Sequence, residues 1–569
     1  MKQKIINSFI LFIFLLIGLS LFKLQVIQQR IYKYLSSKNS IRLLPQFGAR
    51  GKILDRNGSV IIGNYLSYDV LVLPQEEAQI NRTIYNVSRI LNITSDILKD
   101  KFKSDYIAPS IPVVIAQNIN FKQAIALEEA RLESPGIIIQ PHPLRDYPYG
   151  SLASHVIGYL GEIDRWRLTK LADYGYKTKD IVGFGGIEEK YDYYLRQEEG
   201  ALSVEVDHQG KFIRTLGYRP PKNGKDIQLT LDLNIQEIAE NNLRGHIGSV
   251  ILMAPDTGEI IAMASYPDFN PEVFIKDSPS RGGLFNDPKA PLLNRAISGV
   301  YPPGSVFKSV VAAAGLETGK INLSSTFLCT GSIYIGNQEF SCWDTHGQQG
   351  LLQALAHSCN IFFYKTGLLL GAEQIHYYAV KFGLGRTCGI DLPYESSGIV
   401  PSPLWKRLHR FKGWYAGDTV NFAIGQGDLL VTPLQLTRMM AVFANSGMLV
   451  TPYIVKAIDG EDISIYQKKT QRLPLKDSTV DYIRSGLRRV VSEPTGTARV
   501  LSGLKVDVAG KTGTAQVSRG QPHAWFVGFF PFKNPKFVIC VFLEHGGSAA
   551  ASCSLARQII EEICKRGLI

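Results

Sequence analysis

Apolar positions fall into three kinds of run along this chain. The first, Ile5 to Leu24, is apolar almost throughout, broken by Asn7, Ser8, Ser20 and Lys23. Its length is close to the ~20 residues that a bilayer-spanning helix needs. The second kind is short and bounded by turn residues, which predicts strands. Ile53-Leu54 and Val60-Ile61-Ile62 flank an Asn57-Gly58 turn, and Tyr68 to Leu73 adds a further strand. Further on come Asp226–Leu231, then Ser249–Ala254 and Glu259–Ala264 joined by Pro255-Asp256-Thr257-Gly258. Val508–Val517, Trp525–Phe530 and Phe537–Leu543 follow late in the chain. The third kind has helical periodicity: about 75–105, 120–133, a segment from Asn234, and the amphipathic Ser554–Lys565. A buried helix is expected just after Gly304, where Val310 to Ala314 are all small and apolar.

This order predicts an α+β arrangement. Strands early and late in the second half enclose a helix-rich insertion, giving an antiparallel sheet flanked by helices plus a helical subdomain. With 569 residues, one hydrophobic core is not expected to serve the whole chain. Arg219-Pro220-Pro221-Lys222-Asn223-Gly224 has linker composition. The expected division is an anchor (1–24), a juxtamembrane linker helix (25–46), a mixed α/β pedestal (47–222) and a C-terminal domain (223–569).

Charge changes little in this picture. The formal charge of +12 fits an anionic lipid or polymer. No basic block with interleaved aromatics occurs, which argues against nucleic acid. Around the apolar run, Lys23, Arg30, Lys33, Lys38 and Arg42 outnumber Lys2 and Lys4, so the positive-inside count opposes an outward topology. A short basic tail before an export signal favours it. Phe22-Lys23-Leu24-Gln25-Val26 offers no small-x-small cleavage site, so an uncleaved anchor is expected, with the rest of the chain on one side.

Candidate chemistry begins at Tyr301-Pro302-Pro303-Gly304-Ser305-Val306-Phe307-Lys308. A helix start at Ser305 would place Lys308 over the hydroxyl. A lysine in apolar surroundings has a lowered pKa and can activate a serine nucleophile. Ser-x-x-Lys alone is weak, since Ser20–Lys23 and Ser502–Lys505 repeat it. The order supplies the specificity: Ser358-Cys359-Asn360 and then Lys511-Thr512-Gly513-Thr514 follow. Asn360 can hold an amide carbonyl, and Ser358 can relay a proton. Gly513 allows close approach of a substrate backbone. Lys511 with Thr512 and Thr514 suits a terminal carboxylate. Backbone N–H groups of Ser305 and Thr514 can form an oxyanion hole.

This ordered triple resembles the signature of class A β-lactamases and penicillin-binding proteins. The β-lactamase glutamate base has no obvious counterpart. Arg50–Gly58, Arg145–Gly150 with His155, Gly183–Glu188, Trp414–Thr419 and Gly425-Gln426-Gly427 extend the resemblance over nearly the whole chain. The chain is similar to the penicillin-binding protein 2 family, elongation-specific class B D,D-transpeptidases of peptidoglycan. No glycosyltransferase-like domain precedes the pedestal motifs, against a bifunctional synthase.

The resemblance implies a penicillin-binding transpeptidase fold in the C-terminal domain. It implies a serine acyl-enzyme that cross-links stem peptides, is acylated by β-lactams and needs no catalytic cofactor. It also implies an inner-membrane anchor, a bulk in the periplasm, and a glycan polymerase and elongation-complex proteins as partners. A division-specific transpeptidase would share the triad. A membrane β-lactam sensor would need further spans and a signalling domain. A catalytically dead scaffold would have lost Ser305 or Lys308.

Seven cysteines occur. Cys329, Cys342, His346 and Cys359 cluster, and Cys342-x-x-x-His346 has one-turn spacing. Three thiolates and an imidazole would make a closed structural Zn2+ site. A disulfide with free thiols, or plain buried cysteines, are the alternatives. Some penicillin-binding protein 2 relatives resemble this in carrying zinc near the active serine. Cys388, Cys540, Cys553 and Cys564 are expected in the core, and His155 and His357 as packing or surface residues.

Overall fold

The structure is a computed structural model that describes residues 2–33, 41–74, 77–107, 111–131, 133, 134, 136–206, 212–275 and 280–569. Among these, Lys2–Ile27 is the one helix long and apolar enough to cross a membrane. None of the residues in Lys2–Phe22 is buried by the rest of the chain. A helix of this length and apolarity with no partner in the chain fits a membrane anchor. Residues 34–40, with Ser37-Lys38-Asn39 and the middle of the expected linker helix, lie outside the described residues. The end of that expected helix is a strand instead. Ile41–Gln46 pairs antiparallel with Gly200–Val206, from Ile41↔Glu205 to Gln46↔Gly200. A ladder formed with residues far along the chain overrides local propensity, which the local sequence does not report.

The described chain forms two compact units. One comprises Met1–Gly51, Asn64–Asp146 and Arg196–Gly224. Its main core packs Val70, Val72 and Ile115 from strands against Ile84, Val87, Leu98, Phe102 and Leu127 from the helices Glu77–Leu91, Ser95–Ser104 and Phe121–Ala130. The two helical periodicities read from sequence are these three helices.

The other unit comprises Lys52–Gly63, Tyr147–Leu195 and Lys225–Ile569. Two stretches expected in the pedestal therefore cluster with the larger unit. The cause is burial: Ile53, Ile62, Val156, Ile187 and Leu195 share one core with the helices behind Ser305. Polar ties reinforce it. The Tyr191 hydroxyl meets Asp391 Oδ2 at 3.1 Å, and Asp391 accepts from Ile454 N and Val455 N at 2.7 and 2.8 Å.

Five antiparallel strands form the central sheet of this unit: β1 (Gly248–Met253), β2 (Ile260–Tyr266), β3 (Ala509–Ala515), β4 (His523–Phe530) and β5 (Phe537–Leu543). Their order is β2-β1-β5-β4-β3. Every residue of β1, β4 and β5 is buried. Both faces are covered, which the two-residue period shows directly. Val250 and Leu252 of β1 pack with Ile235 and Ile559 of the terminal helices Leu233–Leu243 and Ala549–Lys565. Ile251 and Met253 face the helical subdomain. Strand β3 is an edge, leaving Lys511-Thr512-Gly513 beside the helical part.

His155 is buried, and its Nε2 lies 2.7 Å from Pro291 O. Burial pushes its imidazole down to about 4. The unfolded chain takes this proton near pH 6.5. Between those values the unfolded state binds more protons, so stability falls as pH drops through that window. The full loss is about 3 kcal/mol. Denaturant titrations at pH 7 and pH 4.5 should show His155→Gln flattening this dependence.

Candidate functional site

The segment carrying Ser305 is not an α-helix from its first residue. Gly304–Phe307 is one 3-10 turn, and the α-helix α1 is Lys308–Glu317. In a 3-10 turn positions i and i+3 eclipse, so Ser305 and Lys308 lie along one edge. Gly304 has φ +55°, a left-handed conformation that suits glycine. Gly304, Val306, Phe307 and Lys308 are buried, and Ser305 is partly exposed. The hydroxyl is the accessible member of the turn.

Three contacts fix the turn. Gly304 N donates to Gly425 O at 2.9 Å. Trp525 Nε1 of β4 donates to Pro302 O at 3.1 Å. Tyr301 and Val431 exchange two backbone hydrogen bonds at 2.9 Å each. The packing leaves no room for side chains. A Cβ on Gly425 would lie 2.1 Å from Gly304 O, and one on Gly513 would lie 2.8 Å from Pro303 O. Phe307 also stacks on Phe422, 5.5 Å between centroids and 11° between planes.

Lys308 is fully buried. Its Nζ donates to Ser358 O at 2.7 Å, to Ser358 Oγ at 3.3 Å and to Asn360 Oδ1 at 2.6 Å. Burial pushes the amine down to about 8, against a smaller opposing pull from Cys342 and Cys359. Ser358 occupies the left-handed region, at φ 54°, between the helix Leu351–Ala356 and α2 (Asn360–Lys381). Such a conformation persists only where the surroundings impose it. Asn360 is held from the other side, its Nδ2 donating to Ser341 O at 3.2 Å.

Lys511 on β3 is fully buried, with its Nζ 3.4 Å from Thr512 O. Burial, and then the charge of Lys308, hold its amine well below the usual lysine range. Thr512 is buried with its hydroxyl 2.8 Å from Thr497 Oγ1, and Thr514 is exposed. The structure thus joins Lys308, Ser358 and Asn360 directly, and sets the Gly513 strand against the Ser305 turn.

Cys329, Cys342, His346 and Cys359 also come together, their ligand atoms all within 4.8 Å of one another. His346 Nδ1 lies 3.6 Å from Cys329 Sγ and 3.5 Å from Cys342 Sγ. Zn–S and Zn–N bonds at tetrahedral angles put sulfur and nitrogen ~3.5 Å apart. The donor set and its spacing fit a tetrahedral divalent cation. The Cys359 thiol, with backbone N–H groups of Asp344, Asn360 and Ile361, pulls the Cys342 thiol down to about 4. Asn360 N donates to Cys342 Sγ at 3.2 Å, so the first residue of α2 belongs to both sites. Ser358 and Asn360 face Lys308 while Cys359 joins the cluster, as their alternation requires. His357 is outside the ligand set but stacks on His346 at 5.6 Å and 7°. Cys388, Cys540 and Cys553 are buried, and Cys564 is partly so.

Some residues of the site gave no local signal. Thr497 follows the turn Pro494-Thr495-Gly496 and looks like loop. Ser341 contributes a carbonyl, which any residue supplies.

Two family matches cover this geometry. Residues 248–565 match the penicillin binding protein transpeptidase domain, and residues 45–229 match the penicillin-binding protein dimerisation domain. Peptidoglycan D,D-transpeptidase MrdA of Escherichia coli K12 is 33% identical over 96% of this chain and 91% of its own length. MrdA of Acinetobacter baumannii is 32% identical over 96% of this chain and 87% of its own. A Helicobacter pylori complex of penicillin-binding protein PBP2 with MreC superposes with TM-score 0.83 and 29% identity, over 93% of this chain and 99% of that one.

The chain belongs to the penicillin-binding protein 2 family. The fold class expected from the sequence is the one observed. In this family member the crowding at Gly425 has a direct consequence. Gly425→Ala, at φ +75° and with a Cβ against Gly304 O, should displace the Ser305 turn. Labelling by a fluorescent penicillin should slow by about 10²-fold, the scale of a 1 Å misplacement.

Proposed function

We propose that this chain is a membrane-anchored peptidoglycan D,D-transpeptidase of cell elongation, with Ser305 as its nucleophile. The observation that carries the assignment is Lys308. It lies three residues after Ser305, is fully buried, and makes its hydrogen bonds to Ser358 and Asn360. No carboxylate pairs with it among the described residues. Such an amine loses its proton readily and serves as general base.

In the proposed reaction, Lys308 takes the Ser305 proton as Oγ attacks the penultimate D-Ala carbonyl of a stem pentapeptide. Ser358 relays that proton to the leaving amine, and terminal D-Ala departs. An amine on a neighbouring stem resolves the acyl-enzyme into a cross-link. Asn360 orients the substrate amide. Lys511, Thr512 and Thr514 take the terminal carboxylate, with Gly513 admitting the peptide backbone. The N–H groups of Ser305 and Thr514 stabilise the oxyanion, each donor contributing ~3–4 kcal/mol. β-Lactams acylate Ser305 because they mimic D-Ala-D-Ala.

Helix Lys2–Phe22 anchors the chain in the inner membrane, with the bulk in the periplasm. The N-terminal pedestal, less the Lys52–Gly63 and Tyr147–Leu195 stretches that join the larger unit, meets a glycan polymerase and elongation-complex proteins. Support for such partners comes from the Helicobacter pylori neighbour, which is a complex with MreC. Cys329, Cys342, His346 and Cys359 hold Zn2+, which supplies a structural cross-link and no catalytic chemistry. Through Asn360 N these residues set where α2 begins.

Fluorescent penicillin should label membranes carrying the wild type and leave Ser305→Ala blank. Persistent labelling of Ser305→Ala would remove the nucleophile assignment. Metal analysis of the purified protein should find one zinc per chain, and Cys342→Ser should lower both zinc content and melting temperature. A folded, unchelated sample without zinc excludes the metal.

A further inference from the structure

Residues 402–415 form a surface ridge that the catalytic assignment does not use. Helix α3 (Pro403–Arg410) begins at an N-cap, with Ser402 Oγ accepting from Trp405 N at 3.1 Å. Lys406 is buried and pairs with Asp418 at 2.6 Å. Asp418 also accepts from Tyr415 N at 2.8 Å, fixing the start of α4 (Ala416–Ala423). On this fixed base the chain exposes large apolar side chains: Leu404 at 62%, Leu408 at 60%, Phe411 at 88% and Tyr415 at 69%. Phe411 is held at φ 53°. A left-handed conformation is a genuine outlier for a bulky residue. The fold thus presents this ring to solvent at a cost in both backbone strain and hydration. Arg407 and Lys412 are exposed and make no ion pair among the described residues, whereas neighbouring Arg410 pairs with Asp428.

The ridge is joined to the Ser305 turn through α4. It leads into α4, and just beyond the far end of α4 Gly425 abuts Gly304. An eight-residue helix is about 12 Å long. A stem peptide joins the scissile carbonyl to its sugar through about four residues, which reach at most ~14 Å when extended. The sugar of a bound donor or acceptor strand is therefore within reach of the end of the ridge that leads into α4.

We infer that this ridge holds the glycan strand that carries the stem peptide, an inference that rests on the transpeptidase function proposed above. The apolar C–H faces of sugars fit the negative faces of the exposed rings. The carboxylates of the stem peptides complement Arg407 and Lys412. Contacts of this kind are weak singly and add up along a polymer.

The test compares the full-length protein in detergent with Phe411→Gly and with Arg407→Glu/Lys412→Glu. The probes are soluble uncross-linked peptidoglycan strands, a fluorescent penicillin and phosphatidylglycerol vesicles. Strand affinity should fall about tenfold in each variant, with the wild-type affinity weakening as salt rises. Penicillin labelling should keep its rate, because that small molecule does not reach the ridge. Phe411→Gly relieves the left-handed strain, so its melting temperature should hold or rise while strand binding is lost. A merely structural Phe411 would give the reverse. Unchanged strand affinity overturns the inference, as does a loss confined to vesicle binding. A wild type that penicillin does not label instead overturns the function beneath it, and is recognised before any variant is made.

Discussion

Two ammonium groups buried in one cleft are the constraint from which the rest of this site follows. Lys308 and Lys511 are both fully buried, and no carboxylate pairs with either among the described residues. Like charges in a dry, low-dielectric space disfavour one another, and burial disfavours each alone. The cheapest proton to lose is one of theirs. On the proposed mechanism Lys308 is the neutral partner, and an incoming carboxylate restores the missing counter-charge to Lys511. Substrate binding and nucleophile activation are then one electrostatic event.

Such a site works only if nothing relaxes. A lysine that could swing out would regain water and its ordinary basicity. The fold prevents this with backbone rather than with long side chains. The Ser305 turn is hydrogen-bonded to Gly425 and packed against β3, an edge strand whose other neighbour is the fully buried β4. The acceptors of Lys308 are fixed by a left-handed Ser358 and by Asn360, the residue that also donates to Cys342. A metal at the four-residue cluster would hold that donor from behind.

The sequence showed the strands β1 to β5, the covering helices and the ordered motifs because each depends on local period or on short spacing. The clustering of Cys329, Cys342, His346 and Cys359 was legible for the same reason. Other features were not, and the causes differ. Ile41–Gln46 is a strand because of a partner about 160 residues away. Lys52–Gly63 and Tyr147–Leu195 join the larger unit through apolar contacts that no linker composition announces. The 3-10 turn at Gly304 reflects crowding by Gly425 and β3, not the preferences of its own residues. Thr497 enters the site through a single hydroxyl contact.

The crowding around Gly304, Gly425 and Gly513 also bears on drug resistance. Each of these positions faces another backbone at a distance that a methyl group cannot share. On the proposed assignment of Ser305 as the acylated residue, these three glycines offer no substitution that reshapes the turn without moving backbone. On that assignment, escape by point mutation falls to other side chains around the turn.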